Sequence, residues 1–367
     1  MRIHLTQLYY AREPRTPIAI MDLASYARSL GHEVDVGYCD EGRDLAEYDC
    51  IGMSSLSYTE DVYHQLANLR NGFDGRIVFG GKGTAVLSHD DYCKLRRIGV
   101  EVCFGAGERF FGDKYDINKY PAWDLEDFYA LDRNETMTEA MSSRGCPYHC
   151  HFCHNTEQEV RWFDKARTVQ NIRLILEEVG RHRVFLVDDV FAISAERMFD
   201  LLDYARQSGC DIRKKLAFFV HISCVNHKTI DAICAYSPQE VQIGIESGDD
   251  GMLSAMGKTF TADEAEEKLR LLSEKGIKCA CLFLMGFPGE TRRSLANTVD
   301  FVDRNRKYMS GWWVSYYQPV PFTVGWNMAR ERLGRNISGD WNTEVSYIDP
   351  NITKTDLETA RSAVMKE

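Results

Sequence analysis

The stretch Arg144-Gly145-Cys146-Pro147-Tyr148-His149-Cys150-His151-Phe152-Cys153 spaces three cysteines as C-x3-C-x2-C. Three thiolates on one short loop are soft ligands of the kind that hold an iron–sulfur cluster. No fourth cysteine lies close by. Such a loop can bind three irons of a [4Fe–4S] cluster and leave the fourth iron open to a ligand, whereas plain electron carriers use four cysteines. The same residues also suit zinc, with the cysteines joined by His149, His151 or His154. Either way the loop reads as a metal centre.

Around this loop, short apolar runs alternate with amphipathic helical stretches, the pattern of an α/β fold with parallel strands. Downstream, the sequence predicts strands near 137–143, 184–187, 216–222, 241–245, 278–285 and 312–318, with helices between them. Six strand–helix units are too few for an eight-fold barrel and suit a partial (β/α)6 barrel. Upstream, strands are expected at 3–8, 34–38, 50–53, 76–79 and 100–104, with helices at 18–30 and 60–69. Polar and glycine loops follow these strand ends, as in a Rossmann-like doubly wound parallel sheet, where ligands bind beyond the strand C-termini. The expected organisation is therefore a Rossmann-like domain over 1–114, a linker over 115–136, a partial barrel over 137–333 and a polar tail over 334–367 with one helix at 354–365.

Composition narrows the function classes. The 44 Lys and Arg against 55 Asp and Glu leave a net charge of −11, which argues against a nucleic-acid binder tracking phosphates. No run approaches the roughly 18 apolar residues of a membrane span. The opening Met1-Arg2-Ile3-His4-Leu5 reads as a strand rather than a signal peptide. The expectation is a cytoplasmic protein whose 12 cysteines serve metals, catalysis or packing rather than disulfides.

The cysteine loop, with Phe152 just before its third cysteine, closely resembles the signature of radical S-adenosylmethionine (SAM) enzymes. The resemblance extends over about 138–324. It takes in Asp188-Asp189-Val190-Phe191, Gly244-Ile245-Glu246-Ser247-Gly248, Lys258, and Gly286-Phe287-Pro288-Gly289-Glu290-Thr291, in order and each near a strand end. It implies that Cys146, Cys150 and Cys153 bind a [4Fe–4S] cluster whose open iron is chelated by SAM. One electron, from a flavodoxin or ferredoxin partner, then cleaves SAM to methionine and a 5′-deoxyadenosyl radical, which abstracts hydrogen from a small-molecule substrate. Natural-product biosynthesis is the setting that family analogy suggests.

The resemblance also suggests roles. Phe152, Asp188, Asp189, Gly244, Glu246, Ser247, Gly286, Pro288 and Gly289 are expected SAM contacts. In the strand Val-Gln-Ile-Gly-Ile-Glu, Gln242, Gly244 and Glu246 share a face. A carboxylate there can accept hydrogen bonds from the ribose or amino group of SAM. Cys279 and Cys281 also share a face: turned inward, a thiol can return hydrogen to a product radical, and turned outward it packs under helices, the favoured reading. His221 and Tyr316 complete the candidate catalytic residues. His221 stands where relatives often carry arginine, and Phe322 stands where they carry glycine in a Pro-x-Pro-Gly-Thr pattern.

The first 114 residues resemble the cobalamin-binding domains that precede the radical domain in one large branch of this superfamily. The matching features include Thr16-Pro17-Ile18-Ala19, Ser29–Val34, the 53–59 loop, 80–85 and 105–108. Ser54, Ser57, Gly80 and Gly81 are the candidate cobalamin contacts. No Asp-x-His-x-x-Gly motif supplies a cobalt ligand. The leading expectation is a cobalamin-dependent methyltransferase. The alternatives are cobalamin-free dehydration, rearrangement, epimerisation or carbon–carbon bond formation beneath a capping domain, and, more remotely, a non-catalytic iron–sulfur or zinc protein.

Overall fold

The structure, a computed structural model, describes residues 1–7, 17–38, 44–55, 58–112, 115–117, 120–131, 138–153, 159–334 and 347–366. The first series runs β1 (Arg2–Gln7), α1 (Ile18–Ser29), β2 (Glu33–Gly37), β3 (Cys50–Ser54), α2 (Glu60–Gly72), β4 (Arg76–Gly80), α3 (His89–Arg97), β5 (Val100–Val102) and α4 (Leu125–Leu131). The second opens with β6 (Thr138–Ala140), β7 (Ser143–Arg144), β8 (Arg161–Trp162), α5 (Lys165–Arg173), β9 (Val184–Leu186), α6 (Ala195–Gln207), β10 (Leu216–Val220) and α7 (His227–Tyr236). It continues through β11 (Glu240–Glu246), α8 (Asp250–Ala255), α9 (Ala262–Glu274), β12 (Cys279–Met285), α10 (Arg292–Asn305), β13 (Gly311–Tyr316), α11 (Val324–Leu333) and α12 (Lys354–Val364).

One sheet has the order β2-β1-β3-β4-β5 with every neighbouring pair parallel. The order reverses at β1 and β3, the switch point at which doubly wound sheets bind ligands. The other sheet has six strands in the order β13-β12-β11-β10-β9-β6, and β10–β11, β11–β12 and β12–β13 are parallel. This is the expected α/β architecture of a Rossmann-like sheet and a partial barrel. By compactness the chain divides into two units, Met1–Met141 with Trp162–Val184 and Ser142–Arg161 with Phe185–Glu367.

In the first unit, Ile51, Leu66, Ile77, Phe79, Leu95 and Val100 form the centre of one core cluster. The 115–131 stretch, expected as linker, carries α4 and buries Tyr120, Trp123, Phe128 and Leu131. Asp22 on α1 accepts from Trp123 Nε1 at 2.7 Å and pairs with the buried Arg167 guanidinium on α5. Removing one partner of such a pair strands the other away from water, at a cost of about 3–5 kcal/mol.

In the second unit, local signals set the helix starts. Thr261 and Glu264 form a reciprocal capping box before α9, and Thr291 does the same with Ser294 before α10. The interior strand β12 reads Cys-Ala-Cys-Leu-Phe-Leu-Met, apolar on both faces, as a parallel strand covered on both sides requires. No helix among the described residues is long and apolar enough to cross a membrane.

Candidate active site

The site is built at the C-terminal ends of the barrel strands. β11 ends at Glu246, after a register shift between Gly244 and Glu246. Glu246 adopts φ +72°, a left-handed conformation unusual for a residue with a side chain and typical of strain held at functional positions. Its carboxylate folds back over Gly244, where a Cβ would collide with Glu246 Oε1. Glycine at 244 thus leaves room for this carboxylate.

Lys258 completes the arrangement. Its Nζ donates to Glu246 Oε1 at 3.1 Å and to the Gly244 carbonyl at 3.2 Å. Burial disfavours this ammonium, but Glu246 and the Cys150 thiol hold its pKa above the ordinary lysine value. Phe152 presents its ring 5.4 Å from Nζ, and Phe260 does so at 5.8 Å. One buried cation therefore joins the expected SAM carboxylate to the cysteine loop.

The cysteine loop is tied at three places. At its start, Asp188 Oδ1 accepts the Ser142 and Ser143 amides at 2.7 and 2.6 Å, and Oδ2 accepts the Ser142 hydroxyl at 2.7 Å. Asp189 accepts the Gly145 amide at 3.2 Å. In its middle, Tyr148 stacks on His221 with centroids 3.6 Å apart and planes at 13°, and its hydroxyl lies 3.0 Å from Cys224 Sγ. At its end, the His151 amide donates to Met256 O and its carbonyl accepts from Gly325 N, both at 2.8 Å. His151 Nδ1 donates to Ala255 O at 2.8 Å.

Cys146 and Cys150 are partly buried and Cys153 is exposed. Burial holds Cys146 up at about 11, and the charges of Cys150 and Cys153 are felt there. Burial also raises Cys150, against the pull of Lys258. Among the described residues no three His, Cys, Asp or Glu side chains gather around one point as a single metal ion requires. A [4Fe–4S] cube binds each thiolate to a different iron, so its ligands need not converge. Three neighbouring thiols on a tethered loop fit that group. Cluster loading would release their protons.

The structure corrects several residue readings. Asp188 is fully buried, and its oxygens are occupied by Ser142 and Ser143, so it is not placed as a SAM contact. Burial pushes its carboxyl up to about 6 against these hydrogen bonds. Ser247 is buried, with its hydroxyl 3.0 Å from Thr298 Oγ1 and accepting the Asp249 amide, which joins α10 to the start of α8.

Cys279 and Cys281 lie on the packing face that the sequence favours and not on the face that hydrogen donation requires. Ile243 pairs with Cys281 and Gly244 with Leu282, so the cysteines share the side of Ile243 rather than that of Gly244. On that side Phe283 meets Phe301 of α10, and both cysteines are fully buried. Tyr316 pairs with Met285 on the same helix-covered side and lies beneath Arg361 of α12. Its neighbour Tyr317 packs against Phe287 and Tyr347 at the strand end.

His221 does lie beside the cysteine loop. Its Nδ1 accepts the Ser223 amide at 3.2 Å, and burial, reinforced by Lys258 and Lys268, pushes its pKa down to about 3, leaving a neutral ring. Gly286 donates to Glu290 at 3.1 Å and Gly289 to Asp349 at 2.7 Å, while Pro288 is buried between them. Burial raises Glu290 to about 7. Asp349 also pairs with Arg332 and accepts from Tyr347.

In the first unit, Ser54 and Gly80 end β3 and β4. Gly81 has φ +85°, and a Cβ there would collide with Ser54 Oγ and the Ser55 carbonyl. The two loops are knitted together by Ser55 N to Gly80 O and Gly83 N to Ser55 O. Thr16, Ser57 and His154 lie outside the described residues.

Residues 141–302 match the Radical SAM superfamily. The chain carries a radical SAM domain. Among curated relatives, an uncharacterized methyltransferase of Pyrococcus horikoshii is 28% identical over 167 residues, covering 45% of this chain and 36% of that protein. The anaerobic magnesium-protoporphyrin IX monomethyl ester cyclase of Cereibacter sphaeroides is 24% identical over 196 residues, covering 52% and 32%. The chain thus spans 36% and 32% of the lengths of those two relatives.

The fold is shared with the radical SAM methyltransferase TsrM of Kitasatospora setae, solved with tryptophan substrate and a SAM analog. The TM-score is 0.76 at 15% identity, over 100% of this chain and 89% of that one. It is shared too with the cobalamin-dependent radical SAM enzyme OxsB, solved with aqua-cobalamin, at a TM-score of 0.79 and 15% identity over 98% and 66%. The radical SAM domain implies a [4Fe–4S] cluster and SAM as its cofactors.

Proposed function

We propose that this protein is a cobalamin-dependent radical SAM methyltransferase acting on a small molecule. The observation that carries the reading is the placing of Cys150, Lys258 and Glu246 side by side at the end of β11. Cys146, Cys150 and Cys153 would hold the cluster. When bound and reduced, the cluster supplies the electron that converts SAM to methionine and a hydrogen-abstracting radical, and cobalamin supplies a methyl carrier.

The remaining steps belong to the chain's own groups. The Glu246 carboxylate, held by Lys258, presents an oxygen to the hydroxyls or amino group of SAM. Phe152, Phe260 and the Tyr148–His221 stack surround that position with apolar surface. The neutral His221 adds no charge beside the loop. The loop after β3, at Ser54, borders the switch point between β1 and β3 where a doubly wound sheet takes its ligand, the loop after β4, at Gly80–Gly81, lies beside it, and both are assigned to cobalamin. The likeness in fold to OxsB, solved with aqua-cobalamin, supports this assignment. A flavodoxin or ferredoxin is the proposed electron donor.

The test is anaerobic reconstitution with iron, sulfide and cobalamin, followed by desalting and measurement of iron and cobalt per chain. Iron with near-stoichiometric cobalt supports the reading, and S-adenosylhomocysteine accumulating beside 5′-deoxyadenosine supports methyl transfer. Iron without cobalt would replace it with cobalamin-free radical chemistry beneath a capping domain.

A further inference from the structure

We propose that Asp188 and Asp189 are positioning residues that hold the start of the cysteine loop in place before any iron is bound. The inference rests on reading Cys146, Cys150 and Cys153 as cluster ligands. Asp188 follows β9, whose residues Val184, Phe185 and Leu186 are all in the core. Its carboxylate makes three hydrogen bonds of 2.6–2.7 Å to Ser142 and Ser143. Asp189 takes the amide of Gly145, the residue directly before Cys146. The tethers therefore run in chain order up to the first ligand.

The physical need is specific. Ser142 and Ser143 are buried, and a buried amide left without an acceptor destabilises the fold by its full desolvation penalty. Each residue left free to order only on cluster binding adds a backbone-entropy cost to that binding. An acceptor fixed to a core strand removes both costs in advance. Tyr148 and His151 then hold the middle and end of the loop, and the Asp pair acts at its start, where Ser143 and Arg144 also pair as β7 with β8.

The experiment compares wild type, Asp188→Ala, Asp188→Asn, Asp189→Ala and, as a control, Leu186→Ala in the same core strand. Amide exchange is measured at 142–145 in the metal-free proteins. Iron per chain and the electron paramagnetic resonance signal are measured after anaerobic reconstitution and reduction. Asp188→Ala is expected to speed exchange at Ser142 and Ser143 by about 10-fold or more, in line with a lost hydrogen bond. It should also lower iron per chain and broaden or alter the signal.

Asp189→Ala, at an exposed position that tolerates the change, should speed exchange at Gly145. Asp188→Asn keeps an acceptor for both amides and can donate to the Ser142 hydroxyl, so it should restore loading. Leu186→Ala should lower stability while leaving the signal of its loaded fraction unchanged.

Wild-type exchange and loading in both alanine variants would overturn the proposal. So would an equal loss of signal in Leu186→Ala, which would reduce the effect to general stability. If Asp188→Ala does not fold, the Asp189→Ala exchange at Gly145 decides. Wild type that takes up no iron would instead refute the cluster reading, while the metal-free exchange data still judge the clamp.

Discussion

Lys258 Nζ lies 3.1 Å from Glu246 Oε1, with the two side chains only 3% and 13% exposed. Neither charge has ready access to water, so each depends on the other. Lys258→Met is expected to destabilise the protein by about 3–5 kcal/mol, the cost of stranding a buried carboxylate. Denaturant unfolding of the metal-free protein measures it. A loss below about 1 kcal/mol, the range of an exposed pair, would show that water reaches Glu246.

The cysteines divide by face and by loop. Cys150→Ala should abolish reductive SAM cleavage and leave the circular dichroism spectrum intact. Cys281→Ala should keep iron loading and cleavage near wild type and cost about 1–3 kcal/mol of packing. Cleavage lost in Cys281→Ala but retained in Cys150→Ala would reverse the assignment made from strand register.

The His221 ring sets a pH dependence of definite sign. Its pKa is about 3 in the folded protein against roughly 6.5 in an unfolded chain. The unfolded state therefore binds the extra proton as pH falls below about 6.5, and the stability contribution of His221 is lost towards pH 3. Asp188 and Glu290, raised to about 6 and about 7, act oppositely: their contributions are lost as pH rises through those values. The stability difference between wild type and His221→Phe should grow in favour of wild type from pH 4.5 to 6.5. A difference that does not change with pH would mean that the ring is not buried neutral.

The segment after the barrel holds the Gly286–Thr291 loop that follows β12. Asp349 is fully buried, accepts the Gly289 amide and pairs with Arg332. Asp349→Ala should release the Gly289 loop and weaken SAM binding by about 10-fold, as expected for a lost charged hydrogen bond. Equilibrium dialysis of the cluster-loaded variant measures this. Unchanged SAM affinity would make Asp349 a purely structural group.

Much of this was legible in the chain itself. Strand periods placed β11 and β12 within a residue of their bounds, because parallel interior strands are apolar runs cut off sharply by glycine or acidic residues. The cysteine spacing marked the loop because three thiols on one short segment suit a soft metal centre and little else. Face assignments were not legible. Cys279, Cys281 and Tyr316 alternate correctly along their strands, but which side of the sheet meets helices depends on register with β11 and on the path of the next helix.

Local chemistry was thus determined by sequence alone: which residues are soft ligands, where helices cap and where strands stop. These follow from the side chains and their nearest neighbours along the chain. Only the tertiary structure decided what each acidic or aromatic group does. Asp188 meets Ser142 across 46 positions, Lys258 reaches Glu246 across 12, and Tyr148 meets Cys224 across 76. Burial then turns those encounters into tethers, because a polar group removed from water must find its partner within the fold.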